Sequence, residues 1–228
     1  MLSVAGPACT EPAQLRPELS AAANVSLLAL SDALEALIAD GKDTDEDRQA
    51  AFEAALRIPI RSAGDAFGRA AITGRLAEKQ GALSLLGEDS PTSLVGEAEK
   101  YALISRKLDP DFRQGAAARM LGTLYIFAPA NMLEAGNSED GLELLEGLVT
   151  AHPEVVENQL RLAEAYIALN DKEPGRKPLC LALRDRARLR RDEGQLLDKL
   201  AKEYPKIDCQ AVLGPSQPPN EGPPSTGG

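Results

Sequence analysis

The side chains that most often carry out enzyme chemistry are scarce in this chain of 228 residues. Its single histidine, His152, directly precedes Pro153 in a predicted turn, so any Ser-His-Asp triad would have to use that residue. The sequence contains no Gly-x-Gly-x-x-Gly segment and no phosphate loop that could hold a nucleotide. We therefore predict that the protein is not an enzyme and that it needs no cofactor.

One acidic segment has part of the spacing of a calcium loop. Asp43, Asp45 and Asp47 alternate as the first ligands of such a loop do. Arg48, however, occupies the position that needs glycine, and Ala54 the position that needs a bidentate glutamate. Carboxylates at the start of a predicted helix also oppose the positive end of its dipole. We therefore predict that these residues begin a helix and that the chain has no metal site.

The cysteines are too far apart for a zinc site, but two of them could pair. Cys180 lies near the start of one predicted helix, and Cys209 follows the next, predicted over 192–204. If the two helices fold back as a hairpin, a disulfide between these cysteines is geometrically natural. It would close a loop of about 29 residues and stabilise the fold by roughly 3.6 kcal/mol in the chain-entropy model. It would also indicate an oxidising compartment. Two unrelated buried thiols are the alternative.

The charge balance argues against nucleic acid and against an anionic membrane surface as the main partner, because the formal net charge is −10. A local exception is the basic run of Arg184, Arg186, Arg188, Arg190 and Arg191. We interpret this run as a solvated helix face near a helix end, where cations are favoured. The alternative is that it docks an acidic partner or a ligand carboxylate.

A repeated pattern organises the middle of the chain. Residues 121–125 (LGTLY) and 162–166 (LAEAY) each combine leucine, small residues and tyrosine. Each segment is followed by a small residue four positions before a leucine, at Gly141 and Leu145 and at Gly175 and Leu179. This pattern is typical of tetratricopeptide repeats, in which small residues let paired helices approach closely. A weaker third copy pairs 62–80 with a helix that carries Ala98 and Ala102.

The first repeat contains an insertion. Tyr125 and Tyr166 are 41 residues apart, whereas a plain repeat would separate them by about 34. The extra residues fall within 127–136, which contains Phe127, Met132 and Leu133. Because insertions between stacked helices form loops on one face, we expect this loop to pack over an apolar surface.

The remaining patterns complete an all-α prediction. Apolar residues recur at helical spacing in 25–40 and 45–56, and no segment alternates as a strand would. We predict tetratricopeptide-like stacked helical hairpins with additional N-terminal helices and a C-terminal capping helix. They form one domain over 21–213, with an extended leader over 1–20 and a disordered Pro/Gly tail over 214–228.

The leader resembles the end of a bacterial lipoprotein signal, which makes Cys9 a lipidation candidate. Small residues precede this cysteine, although Gly6-Pro7-Ala8 departs from the usual leucine and two small residues. The apolar part is too short for a membrane span, so contact with a membrane would depend on this anchor. The alternative is that Cys9 is an ordinary leader residue.

Several segments together resemble the T component of TRAP-type periplasmic transport systems: 118–125 (ARMLGTLY), Ala128-Pro129, Gly136-Asn137, 141–145 (GLELL) and 158–166. The sequence departs from that pattern at Ala163, where the family has glycine, and it lacks a second proline in the insertion. The resemblance implies a helical lipoprotein in the periplasm that associates with a substrate-binding protein and offers an apolar cavity. Relatives of this type are linked to bacterial lipid trafficking, including that of sterols.

On this basis we predict the residues that would contact a ligand. The apolar ones are Phe67, Ile72, Leu76, Leu121, Tyr125, Phe127, Met132 and Leu133, each of which could instead fill the core. The polar ones, able to orient a hydroxyl or carboxylate, are Arg75, Asn131, Asn158 and Tyr166.

The function predicted first is binding and transfer of a hydrophobic, lipid-like ligand in the periplasm, with a sterol as the most specific expectation. If Cys9 carries lipid, the protein would be anchored to the outer membrane. The alternative is a periplasmic adaptor that docks the solute-binding protein of a TRAP-type organic-acid transporter and takes up no ligand. A cytoplasmic scaffold is a third possibility.

Overall fold

The structure, a computed structural model, describes residues 14–84 and 94–214. Cys9 and the predicted tail after residue 214 lie outside the described residues. Eleven α-helices run through the described part: α1 (Pro17–Ala23), α2 (Leu27–Asp40), α3 (Asp45–Arg57), α4 (Ala63–Ser84), α5 (Leu94–Leu108), α6 (Ala116–Phe127), α7 (Ser138–Ala151), α8 (Val156–Ala168), α9 (Lys172–Arg184), α10 (Arg191–Ala201) and α11 (Cys209–Leu213). Short 3-10 turns occupy Ala130–Met132 and Arg186–Arg188. Within 14–84 and 94–214 there is no strand, and the prediction of an all-α fold of stacked helices is confirmed.

The helices group into two compact units, so the region predicted over 21–213 contains both. The first unit ends at Leu148, near the end of α7, and the second begins at Val149. In the first unit α4 packs against α2, α3 and α5, and α5 packs against α6. In the second unit α9 packs against α8 and α11, and α10 packs against both α8 and α9.

The N-terminal helices begin and end at residues suited to those positions. The Ser26 hydroxyl accepts a hydrogen bond from the Ala29 N–H at 3.0 Å and caps α2. Gly41, at φ +67°, ends this helix with the left-handed conformation that glycine adopts most easily. In the acidic segment that resembles a calcium loop, Asp43 and Asp47 have partners within the chain. Thr44 and Asp47 form the capping box of α3, and Asp43 pairs with Arg48 at 2.7 Å.

The predicted extended leader is wrong for its last residues, since α1 begins at Pro17. Proline is favoured in the first turn of a helix because it has no N–H to leave unpaired. Two residues later, Leu19 is fully buried among Leu27, Leu30 and other apolar residues of α2 and α3. This burial holds the short helix in place.

The first repeat hairpin forms as the sequence predicts, with its two glycines at the helix crossing. A β-carbon added at Gly122 on α6 would lie 2.7 Å from Leu145 Cγ and 3.0 Å from the Gly141 carbonyl oxygen. A β-carbon at Gly141 on α7 would lie 2.8 Å from Tyr125 Cβ and 2.9 Å from the Gly122 carbonyl oxygen. Backbone therefore faces backbone at this crossing, and there is no room for a side chain.

In the second unit α8 and α9 also approach closely at a glycine, which here faces tyrosine side chains. A β-carbon at Gly175 would lie 3.1 Å from Tyr166 Cβ and would overlap the Tyr204 hydroxyl. That hydroxyl donates to the Lys172 carbonyl at 2.9 Å, which ties the segment after α10 to the start of α9. Leu179 and Leu197 are fully buried in the core that α8, α9 and α10 share.

The close contact of Gly141 with α6 predicts that two glycine substitutions in α7 change the stability of the protein in opposite directions. We expect Gly141→Ala to lower the free energy of unfolding by about 1–3 kcal/mol, because the new methyl group meets backbone atoms that cannot move aside. Gly147, also in α7, is exposed and a β-carbon there meets nothing within 4 Å. Gly147→Ala should therefore raise the free energy of unfolding by about 0.5–1 kcal/mol.

Urea denaturation of the two variants checks this prediction. Equal effects of the two substitutions would show that helix propensity, and not the close contact, determines the stability of this hairpin.

Candidate functional site

The residues predicted to bind ligand are divided between the two units. Asn158 and Tyr166 lie in the second unit, where both are buried in α8. The other ten lie in the first unit, on α4, α6 and the insertion that follows α6.

Most of the apolar residues in the first unit are core residues. Ile72 is fully buried in the cluster that α2 and α3 form with α4. Leu121 and Tyr125 pack with Ala70 and Ala102, and Leu133 packs against this cluster. Leu76 is also buried, and Met132 is buried in a cluster with Ala77 and Val95. These side chains fill the space between the helices with one another.

Two predicted ligand contacts in the insertion face solvent instead. Phe127 was expected to face inward, but 49% of it is exposed because α6 ends at this residue and the chain turns away at Ala128-Pro129. Asn131 is exposed on the 3-10 turn, where only the neighbouring Met132 points into the core. Phe67 is half-buried, with its ring centroid 5.8 Å from that of Phe112.

A buried carboxylate holds the insertion against the helices. Glu99 on α5 is 1% exposed and accepts hydrogen bonds from the Glu134 N–H at 2.7 Å and the Ala135 N–H at 3.0 Å. The insertion continues over Tyr125, because a β-carbon at Gly136 would overlap that ring. The prediction that the insertion packs over an apolar surface is confirmed, but Glu99 was not predicted as its anchor.

The same carboxylate affects the ionisation of Tyr125. Burial and then the negative charge of Glu99, with which the phenol also hydrogen bonds, raise the pKa of Tyr125 to about 12. The phenol therefore stays neutral over the physiological range. It is a structural hydrogen-bond donor and not an acid that could be used at neutral pH.

Arg75, predicted to orient a polar group of the ligand, is already engaged by carboxylates of the chain. Its guanidinium pairs with both oxygens of Glu35 at 2.7 and 2.8 Å and with Glu78 at 3.1 Å. Burial opposes the charged form, but the hydrogen bonds and charges of Glu35 and Glu78 raise the pKa of Arg75 above its ordinary value. The side chain thus joins α4 to α2.

A concave surface lies elsewhere in the first unit, where no residue was predicted. This groove has a volume of about 440 Å³ and is lined by Leu28, Ser62, Ala63, Gly64, Leu108, Asp109 and Phe112. It is open to solvent, and 58% of Leu108 is exposed at its edge. Leu108 and Phe112 flank Pro110 in the turn after α5, a pair of apolar residues that could have been noticed in the sequence.

The basic run of the second unit is paired within the chain. Arg184 contacts Asp185, Arg186 contacts Asp198, and Arg190 contacts Glu193. Arg188 donates to the Glu154 carbonyl at 2.8 Å. These contacts agree with the interpretation of a solvated surface and leave little of the run for an acidic partner.

Cys180 and Cys209 form a disulfide, as the sequence suggested, with Cα atoms 5.2 Å apart. The helix positions from which the sequence predicted this pairing were wrong. Cys180 lies in the second half of α9 and not near the start of that helix, and Cys209 begins the short helix α11, which packs on α9.

Two kinds of feature are absent from the part of the chain that the structure describes. No group of three or more His, Cys, Asp or Glu side chains there is placed to hold a metal ion. None of its helices combines the length and apolar character needed to cross a bilayer. In comparisons with known proteins, neither a family model nor a curated protein matches this chain.

The raised pKa of Tyr125 predicts a loss of stability at alkaline pH. An ordinary tyrosine in the unfolded chain ionises near pH 10, whereas folded Tyr125 keeps its proton until about pH 12. The unfolded state therefore loses a proton first, and the contribution of Tyr125 is complete below pH 10 and declines between pH 10 and 12. We expect Tyr125→Phe to reduce the slope of unfolding free energy against pH in this window.

Chemical denaturation across that pH range provides the measurement. Tyr204, whose pKa burial also raises, will leave part of the slope in place, so Tyr204→Phe is the matched comparison. An unchanged slope in Tyr125→Phe would show that the Tyr125 phenol is as accessible to hydroxide as one in the unfolded chain.

Proposed function

We propose that this protein is a non-enzymatic adaptor that binds another protein through the surface of its helical repeats. The observation that carries this proposal is the packing of Leu121, Tyr125 and Met132. These residues were expected to line a ligand slot, yet they contact core residues of the same chain. A lipid could take their place only if α4, α5 and α6 moved apart, which would expose the fully buried Ala70, Ala102 and Leu121.

The groove supplies a surface suited to protein recognition. Its apolar residues, among them Leu28, Leu108 and Phe112, lie beside Ser62 and Asp109. A shallow apolar surface with polar neighbours can accept one or two side chains of a partner, which is how anchor residues bind at protein interfaces.

We further propose that the protein works in an oxidising compartment, namely the bacterial periplasm. The Cys180–Cys209 disulfide supports this proposal, because such bonds are rare in the reducing cytosol and persist in exported proteins. It favours this location over a cytoplasmic scaffold. Attachment to the outer membrane through lipidated Cys9 stays a proposal from the sequence. The resemblance to the T component of TRAP-type systems makes a periplasmic solute-binding protein the partner to test first.

A second candidate function is transport of a lipid-like molecule, with a sterol as the most specific case. The observation in its favour is the size of the groove, about 440 Å³, which falls within the range of about 300–1,000 Å³ that small-molecule sites occupy. In this version the ligand would bind to Leu28, Leu108 and Phe112, and not to the residues predicted from the sequence.

Leu108→Asp distinguishes the adaptor from the carrier. We expect it to weaken binding to the solute-binding protein about tenfold or more, because it places a charge among apolar contacts. The fold should remain intact, since 58% of Leu108 is already exposed. Titration calorimetry with the purified partner gives the dissociation constant, and Glu139→Ala, at an exposed position of α7 outside the groove lining, serves as the matched control.

Native mass spectrometry with lipid extraction, on protein purified from its own cell envelope, completes this test. The adaptor proposal predicts a lipid-free protein. A stoichiometric lipid that is lost in Leu108→Asp would contradict it and support the carrier.

The oxidation state of Cys180 and Cys209 in intact cells tests the proposed periplasmic location. Without a reductant, we expect Cys180 and Cys209 to resist alkylation, as oxidised cysteines do. Mass spectrometry of peptides from rapidly acid-quenched cells measures the labelled fraction. In the purified protein, Cys180→Ala with Cys209→Ala should lower the free energy of unfolding by roughly 3.6 kcal/mol, for a loop of 29 residues. Complete labelling of both cysteines in cells would contradict the periplasmic proposal.

A further inference from the structure

The groove of the first unit is built around a glycine of α4. A β-carbon added at Gly64 would lie 3.1 Å from Leu28 Cδ2 and 3.3 Å from Phe112 Cζ, so both side chains lie directly against this residue. The Ser105 hydroxyl donates to the Ala63 carbonyl at 2.9 Å, which joins α5 to the start of α4. The absence of a side chain at Gly64 therefore leaves the space that the two apolar side chains border.

One wall of the groove is the turn that follows α5. The Asp109 carbonyl accepts from the Phe112 N–H at 3.3 Å, and one Asp109 carboxylate oxygen accepts from the Asp111 N–H at 3.1 Å. The next three residues, 113–115, have φ between +48° and +79°, in the left-handed region that residues other than glycine rarely adopt. Strain of this kind is concentrated at binding sites, where the surrounding structure maintains it. The backbone of this turn therefore indicates a functional surface.

Asp109 is the one charged side chain of the groove lining. It is exposed, and no lysine or arginine within 14–84 or 94–214 pairs with its carboxylate. Ser62, the other polar side chain of the lining, is already used at the start of α4, where its hydroxyl donates to the Asp65 carboxylate at 2.9 Å and accepts from the Asp65 N–H at 3.0 Å. The lining thus combines apolar side chains with a single carboxylate that a cation can approach.

The cations near the groove do not neutralise this carboxylate. Arg113, in the same turn, pairs instead with both oxygens of Asp32 on α2 at 2.7 Å. Arg61 and Lys107 are exposed and precede lining residues in the chain, but neither belongs to the lining. A cation that enters the groove therefore meets Asp109 as its nearest unneutralised charge.

We propose that the groove recognises a segment of the partner protein in which an apolar side chain stands next to a lysine or arginine. The apolar side chain packs among Leu28, Leu108 and Phe112, and the cation pairs with Asp109. The formal net charge of −10 also favours the approach of a basic segment. This inference rests on the adaptor proposal and specifies the chemistry of the segment that the adaptor binds.

Nuclear magnetic resonance of the full-length protein tests this preference with three short blocked peptides. Each peptide has one central leucine, flanked on both sides by lysine, by glutamine or by glutamate. We expect the lysine peptide to move the amide resonances of Gly64, Leu108 and Phe112 saturably and to bind about threefold more tightly than the glutamine peptide, as an exposed ion pair allows. The glutamate peptide should bind most weakly. Added salt should reduce these differences, because it screens exposed charges.

Asp109→Asn isolates the contribution of the carboxylate. Asparagine keeps an oxygen that can accept from the Asp111 N–H, so the turn is preserved while the charge is removed. We expect this variant to lose the preference for the lysine peptide over the glutamine peptide. Glu139→Gln, at an exposed position of α7 outside the groove lining, removes the same charge and should keep the preference.

The proposal is overturned if the wild type binds the lysine and glutamine peptides equally, or if it binds the glutamate peptide most tightly. It is also overturned if Asp109→Asn keeps the preference, or if no peptide shifts the groove resonances. None of these results removes the adaptor itself, which fails instead when Leu108→Asp binds the whole partner protein as the wild type does. The two failures are therefore distinguishable.

Discussion

The fold depends on the close approach of helix backbones at small residues. Aromatic residues make up only 4% of the chain, so few aromatic side chains are present to fill wide gaps between helices. At the crossing of α6 and α7, Gly122 and Gly141 bring backbone against backbone, and Tyr125 and Leu145 pack on either side. In the second unit Gly175 lies close to the Tyr166 and Tyr204 side chains. Close packing of this kind gains dispersion energy from many short contacts and leaves little free volume.

This dense packing determines where binding can occur. Side chains such as Leu121 and Met132, which could have lined a cavity, are used to fill the interior. Apolar side chains remain exposed where helices end, as at Leu108 after α5, and the adaptor proposal places binding there.

Buried polar groups connect segments that are distant in sequence. Glu99 holds the insertion through two backbone N–H groups, and Arg75 joins α4 to α2 through Glu35. In these contacts a buried charge has partners, as it must in a medium of low dielectric constant.

The sequence by itself determined the helical class, the repeat hairpins and the approximate starts of α2, α3, α4 and α10. These features follow from local spacing, such as Gly141 four residues before Leu145. Only the tertiary structure decided that Phe127 is exposed, that Glu99 holds the insertion, and that Leu28 and Phe112 share a groove. The physical reason is that helix formation depends on residues three or four positions apart, whereas burial and pairing depend on neighbours that folding brings from distant parts of the chain.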